Sequence, residues 1–343
     1  MRKQRPNMRD VARQAGVSLS AVSLVVNGKP GVSPEIREHV QEIISNLGYK
    51  NTITQENTAK QAIGILIEKN SMPVIMDAFY GEVIRGFQTE AQRMGYHVIL
   101  SMFDRNHDNL DELINSLVPQ LKGLVVANDG DITLEMIDQL KSVRLPLVLI
   151  ENHVMNQKIP TVVGDHFMVG YTMMRYVIEM GHTEIAVLKG PTKYSSLVHR
   201  LLGILAAAGE AGMTLRPEWM PKPVSGHPHK GYMQMQEILR LPTRPTAVVA
   251  ISDKTALGAM EAIKEHGLRI PEDISIVSMD NIAESAYTRP PLTTISVPKY
   301  EMGAVAFDKL HRLINGEMDI PVQSILYSDF IVRDSCLDLR EKK

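Results

Sequence analysis

Residues 8–27, MRDVARQAGVSLSAVSLVVN, constrain this chain more than any other stretch. They predict two short helices around a tight turn at Ala15-Gly16-Val17. Asn7 precedes the first helix with Asp10 three positions on, an approximate capping box. Val11, Ala12 and Ala15 share one helical face, and Gly16 suits a turn that needs positive φ. Ser18 caps the second helix, whose apolar positions Val22, Val25 and Val26 recur at helical spacing. Asn27-Gly28 ends it, because both residues tolerate the left-handed region. Ser33-Pro34 starts a third helix, with Ile36, Val40, Ile43, Ile44 and Leu47 as its expected buried stripe. Helix, glycine turn, helix is the arrangement in which the second helix enters the major groove of DNA.

DVARQAGVSLSAVSLVVNG, followed by VSPEIREHVQEIISNLGY, resembles the headpiece of the LacI/GalR (lactose-repressor) family of bacterial transcriptional regulators. The resemblance implies that Leu19, Ser20 and Ala21 face base edges, with Leu24 one turn later. Leu24 stands where many relatives carry arginine. A bidentate guanine contact, worth roughly 1–3 kcal/mol of discrimination, is therefore missing, and contact with thymine methyls is expected instead. Asn7, Arg9, Ser18, Ser23, Asn27 and Arg37 are the implied phosphate-positioning residues. Ser18 and Asn27 also read simply as helix caps, and both roles are compatible because phosphate docks where a helix end needs capping. In the family the following linker is a hinge helix that wedges a leucine into the minor groove. Here KNTITQENTAKQ (50–61) lacks the usual proline and places Thr58 about where that leucine falls. Threonine is a poor wedge, so less hinge-driven bending is expected.

Charge supports a division at this point. Residues 1–50 hold eight Lys and Arg against four Asp and Glu, a net of +4, which leaves −6 for the rest of a chain whose total is −2. A basic head on an acidic body fits a DNA-binding head whose body does not bind DNA. A length of 343 residues predicts more than one folding unit. The expected domains are a headpiece over 1–50, a linker over 51–61 and a core over 62–338.

In the core, short apolar runs alternate with helical segments, which predicts α/β architecture with parallel sheets. AIGILI (62–67), HVILSM (97–102), GLVVA (123–127) and LVLIE (147–151) form one series. TVV (161–163), IAVL (185–188), TAVVAI (246–251) and ISIVSM (274–279) form a second. Two doubly wound lobes are expected. The resemblance extends here through KGLVV, RLLGILAAAGEAGM, PTAVVAISDKTALGAMEAIKEHGLRIPEDISIVSMDN and RPPLTTISVPKYEMG, and implies a core like the periplasmic sugar-binding proteins. It also implies that the last segments cross back. Lobe one is thus expected over about 62–153 and 292–321, and lobe two over about 154–291 and 322–338.

Ligands of open α/β sheets bind at the carboxyl ends of strands. Reading the residues that follow each run gives Phe79, Tyr80, Asp104, Asn128, Asp165, Ser252, Asp253 and Asp280 as candidate effector contacts. Arg200 joins them as the match to the family's effector-binding arginine, and His227 as a possible edge of the cleft. Carboxylates, amides and one arginine suit hydroxyls or a small polar ring. For each residue the competing role is a helix cap or a loop hydrogen bond; Asp253, for example, also reads as the cap of helix 254–266.

Other classes fit less well. The single Cys336 rules out a disulfide framework, and His227-Pro-His229 lacks the supporting ligands of a metal site. No nucleophile elbow, zinc-protease helix or catalytic carboxylate dyad stands out, so neither an enzyme nor a bound cofactor is expected. A transporter's solute-binding protein would use the same core, but it has no use for a headpiece. The basic start lacks an apolar signal region and no run of eighteen apolar residues occurs, so a cytoplasmic location without a membrane span is expected. The expected partners are double-stranded operator DNA, a sugar-like effector and a second copy of the chain in a homodimer, with a tetramer also open.

Overall fold

A computed structural model describes residues 6–26, 31–47, 62–68, 79–104, 107–127, 132–152, 157–192, 194–223, 229–318 and 320–340. The chain divides into two compact units, Met1–Ala62 and Ile63–Lys343.

The first unit holds α1 (Met8–Ala15), α2 (Leu19–Val26) and α3 (Pro34–Leu47). The Asn7 side chain accepts from the N–H groups of Arg9 and Asp10, while Asp10 accepts from the Asn7 N–H, so the capping box is complete. Gly16 ends α1 at φ 65°. Val11, Ala12, Ala15, Val22, Val25 and Val40 form the buried centre, with Ile43, Ile44 and Leu47 against it. Ile36 departs from its expected place and is exposed, because the buried contact of α3 begins a turn later at Val40. Asn27, Gly28, Tyr49 and the whole 51–61 linker with Thr58 lie outside the described residues.

In the second unit, β1 (Ala62–Glu68), β2 (His97–Phe103), β3 (Leu121–Ala127), β4 (Leu147–Ile150), β5 (Thr161–Gly164) and β10 (Gln323–Leu326) form one sheet, ordered β10-β5-β4-β3-β1-β2. The other sheet runs β11-β9-β8-β7-β6, from β6 (Ile185–Leu188), β7 (Ala247–Ala250), β8 (Ser275–Met279), β9 (Thr293–Ser296) and β11 (Asp329–Ile331). The pairings of β3, β4, β5 and β10, and of β6 to β9, are parallel, whereas β11 runs antiparallel to β9. Strands such as β4 and β7 are buried at every position, as parallel strands covered on both faces must be.

Strand membership corrects the expected lobe boundaries at three places. Residues 161–164 belong to the first sheet, through Leu149↔Thr161 and Ile150↔Val162. Residues 293–296 belong to the second, through Val277↔Thr293. The single run 324–332 splits at Tyr327-Ser328, with β10 in the first sheet and β11 in the second. A short run that is apolar throughout fits either sheet, so pairing partners decide. The chain consequently passes between the sheets three times: after Gly164, after Ser296 and after Leu326. The first and third passages are joined, since the Asp165 N–H donates to the Leu326 carbonyl at 3.1 Å.

Helices cover these sheets in pairs. α4 (Tyr80–Arg93) packs on α11 (Lys299–Ile314), α7 (His166–Glu179) on α8 (Ser195–Glu210), and α9 (His229–Leu239) on α10 (Asp253–Glu265). α5 (Leu110–Leu117) and α6 (Leu134–Ser142) complete the described helices. Among the described residues no helix is long and apolar enough to cross a membrane.

The α7–α8 pair approaches backbone to backbone. A Cβ placed on Gly170 would fall 1.9 Å from the Arg200 carbonyl oxygen, and one on Gly203 would fall 2.0 Å from that of Phe167. Gly170→Ala must therefore push α8 away, at a cost of about 1–3 kcal/mol for an overpacked interior. Gly209→Ala in the same helix meets nothing within 4 Å and should stabilise by about 0.5–1 kcal/mol. Urea midpoints of the two variants, moving in opposite directions, are the expected result.

Candidate DNA-reading face and effector site

On the first unit, Leu19 and Ser20 are exposed at the start of α2, and Arg9 is exposed on α1. Ala21, Ser23 and Leu24 are half-buried, as is Arg37 on α3. Ser18 caps α2: its Oγ accepts from the Ala21 N–H at 3.1 Å and lies 2.9 Å from Ser20 Oγ. The tip of α2 thus presents an open apolar side chain, Leu19. Leu24 turns partly aside, since a Cβ on Gly31 would meet its Cδ1 at 3.2 Å.

In the second unit the candidates separate. Arg200 and Asp280 come together, with Arg200 Nη2 3.9 Å from Asp280 Oδ1. The guanidinium is otherwise anchored: Nη1 donates to the Ile251 carbonyl at 3.1 Å and Nε to His166 Nδ1 at 3.3 Å. His166 Nε2 in turn lies 2.8 Å from Glu151 Oε2, an ion-pair distance at which the N–H is not aligned as a directed hydrogen bond. The Gly164 N–H donates to Glu151 Oε1 at 2.8 Å. Arg200 donates to Nδ1, so that nitrogen is the acceptor of the pair and Nε2 is the ring nitrogen that faces Glu151. Glu151 follows β4 in one sheet and Asp280 follows β8 in the other, so this run of contacts links the carboxyl ends of both sheets.

Electrostatics follow the burial. Burial would raise the Glu151 carboxyl, but His166, the Gly164 N–H and Arg200 outweigh it and hold the group below the ordinary carboxylate range. Burial pushes Asp280 above that range, against the pull of Arg200, Lys299, His166 and Lys230. Glu151, Asp280 and Asn281 also hold positive φ, at 57°, 111° and 47°. Such backbone costs on the order of 1–3 kcal/mol per residue and persists where surrounding contacts impose it. Around Asp280 those contacts are its own N–H to Ile295, Asn281 Nδ2 to Ser296 Oγ, and Arg333 Nη2 to Asn281 Oδ1.

Asp253 is a brace. Its carboxylate accepts from Ser278 Oγ, from Thr294 Oγ1 at 2.6 Å and from the Ile282 N–H at 2.9 Å, tying β8, β9 and the Asp280 turn together. Burial, with the Asp280 charge second, raises it to about 6. Ser252, rather than Asp253, caps α10 by accepting from the Thr255 N–H. Asp165 caps α7 through the Met168 N–H at 3.1 Å. Asp104 lies 2.9 Å from His107 Nδ1 in its own loop. Phe79 and Tyr80 meet edge to face and pack on the core. Asn128 and His227 lie outside the described residues. Glu151 and His166 were not among the sequence candidates. A carboxylate ending a buried strand (Glu151) and a histidine opening the next helix were the available signals.

A small helix-turn-helix unit and a two-sheet α/β unit with a charged site at its strand ends define a ligand-responsive DNA-binding regulator. Residues 7–51 match the model of bacterial regulatory proteins of the lacI family, and residues 174–336 match the periplasmic binding protein-like domain. The catabolite control protein A of Priestia megaterium is 32% identical over 313 residues, 90% of this chain and 92% of that protein. The ribose operon repressor of Haemophilus influenzae is 32% identical over 339 residues, 97% and 99% of the two chains. Among solved structures, the Lac repressor dimer bound to operator and the anti-inducer ONPF superposes with a TM-score of 0.78 at 25% identity, covering 97% of this chain and all of that one. The CelR–cellobiose complex gives 0.74 at 27%, covering 96% and 100%. The chain belongs to the LacI family of transcriptional regulators.

The Asp253 shift sets a pH dependence. Its folded value lies above its ordinary 3.8, so between about pH 4 and 6 the native state keeps a proton that the unfolded chain releases. Native stability then falls as pH rises through that window. Melting temperatures of Asp253→Asn should lack this component, and equal pH slopes for variant and wild type would contradict it.

Proposed function

We propose that this regulator is a repressor that binds a pseudo-palindromic operator as a homodimer in the cytoplasm and responds to a sugar-like effector. One headpiece reads one half-site, so two copies are needed for a symmetric operator. Leu19 and Ser20 read bases, with Ala21 and Leu24 beside them. Asn7, Arg9, Ser18, Ser23, Asn27 and Arg37 position the backbone, and residues 51–61 link the head to the core. The relatives' names favour repression, and the operator-bound Lac repressor dimer supports the DNA partner and the assembly.

The observation that carries the effector reading is the 3.9 Å separation of Arg200 Nη2 and Asp280 Oδ1. A hydroxyl oxygen about 2.8 Å from each atom fits between them, accepting from the arginine and donating to the carboxylate. A hydroxyl satisfies both partners at once, which suits a polyol. The CelR structure is a complex with the sugar cellobiose. The effector can shift operator affinity only by its difference in affinity for two core arrangements, typically about 1–3 kcal/mol.

Thermal stabilisation by cellobiose, D-ribose, D-glucose and D-galactose tests the effector, since a ligand selective for the native state raises the melting temperature. The expected result is a shift with at least one sugar that Asp280→Asn and Arg200→Lys each abolish or weaken about tenfold. Undiminished shifts in both variants would remove the pair from the site. On the DNA side, Arg9→Ala and Arg37→Ala should each reduce the log-log salt slope of operator binding by about one. Unchanged slopes would exclude them as phosphate contacts.

A further inference from the structure

We propose that His166 sets the effector's charge class: it makes the site select neutral polyols over the same sugars carrying a carboxylate or phosphate. This rests on the reading of Arg200 and Asp280 as the hydroxyl clamp. An arginine binds an oxyanion best through two parallel N–H groups, and its side-on fork consists of Nε and Nη2. At Arg200 that fork is closed, because Nε–H is already donated to His166 Nδ1 at 3.3 Å. Nη1 gives one of its two N–H groups to the Ile251 carbonyl. What faces Asp280 is Nη2, which on that edge offers single-point donation beside a carboxylate.

The charges around the clamp point the same way. Arg200, Lys299, His166 and Lys230 pull on Asp280, and the Asp280 charge in turn acts on Asp253. A neutral ligand adds no charge beside Asp280, whereas an anion held by Arg200 Nη2 places a second negative charge next to that carboxylate. Glu151 secures the arrangement from the other sheet. It takes the Nε2 side of the ring, which leaves Nδ1 as the acceptor for Arg200. His166 is thus a specificity-determining residue that acts through Arg200.

Calorimetry on the full-length protein compares D-ribose with ribose 5-phosphate, D-glucose with glucuronate and glucose 6-phosphate, and cellobiose with cellobionate. The neutral member of the bound pair should be favoured by about tenfold or more. His166→Ala opens the fork and should narrow or invert that ratio, while His166→Gln, whose amide oxygen can still accept from Nε, should keep it. Anionic members binding wild type as tightly as neutral ones would overturn the inference and leave the sugar reading intact. So would an unchanged ratio in His166→Ala. Binding of no sugar in either series would overturn the sugar reading itself. A second measurement needs no sugar. Nitrogen-15 spectra of histidine-labelled protein at neutral pH, with the His166 signal assigned by its loss in His166→Gln, should show Nδ1 unprotonated and Nε2 protonated. A protonated Nδ1 would overturn the inference whatever binds.

Discussion

The position of Arg200 depends on how closely the backbones of α7 and α8 approach. At Gly170 and Gly203 neither helix carries a side chain, and each glycine lies under a carbonyl of the other helix. One of those carbonyls belongs to Arg200 itself. The side chain that meets Asp280 and the backbone that meets Gly170 are thus parts of one residue, and any widening of the helix pair displaces the guanidinium. The same α7 opens with Asp165 as its cap and His166 as its first residue, so the helix that sets the distance also supplies the acceptor for Nε. Packing and chemistry share one element here.

The buried polar groups around this point are tolerable because most are hydrogen-bonded by named partners. A carboxylate taken out of water costs several kcal/mol unless donors replace the lost water. Asp253 has two hydroxyls and an N–H, and Glu151 has the Gly164 N–H with His166 Nε2 2.8 Å from its other oxygen. Asp280 differs. Its carboxylate is 18% exposed, with a cation 3.9 Å away and strained backbone beneath it. Strain held in place by Arg333 and Asn281 fixes this carboxylate beside Arg200.

Much of this was legible in the sequence. Asn7, Asp10, Gly16 and Ser18 mark the first two helices because capping chemistry is local. The alternation of apolar runs with helices gave the α/β class, and residues after strand ends gave Arg200's partner Asp280. The sheet to which 161–164, 293–296 and 323–326 belong was not legible, since a fully apolar strand pairs equally well with either neighbour and only long-range register decides. Asp253 illustrates the limit at the site: an acidic residue after a strand reads alike as ligand contact or brace until its three donors are seen. His166 was missed because its importance comes from Glu151 and Arg200, which lie 15 and 34 positions away in sequence.

The three passages of the chain between the sheets carry a mechanical consequence. A body joined to its neighbour by three backbone segments, two of them hydrogen-bonded side by side, is restrained to swing about an axis near them. His166 stands directly after the first of these passages and Lys299 directly after the second, so the charged site lies close to that axis. Atoms near a pivot shift least while those at the rim travel furthest. A displacement too small to break a hydrogen bond at Arg200 therefore becomes a larger one at the far ends of the lobes. A ligand bound beside Arg200, as proposed, would act at the short arm of a lever.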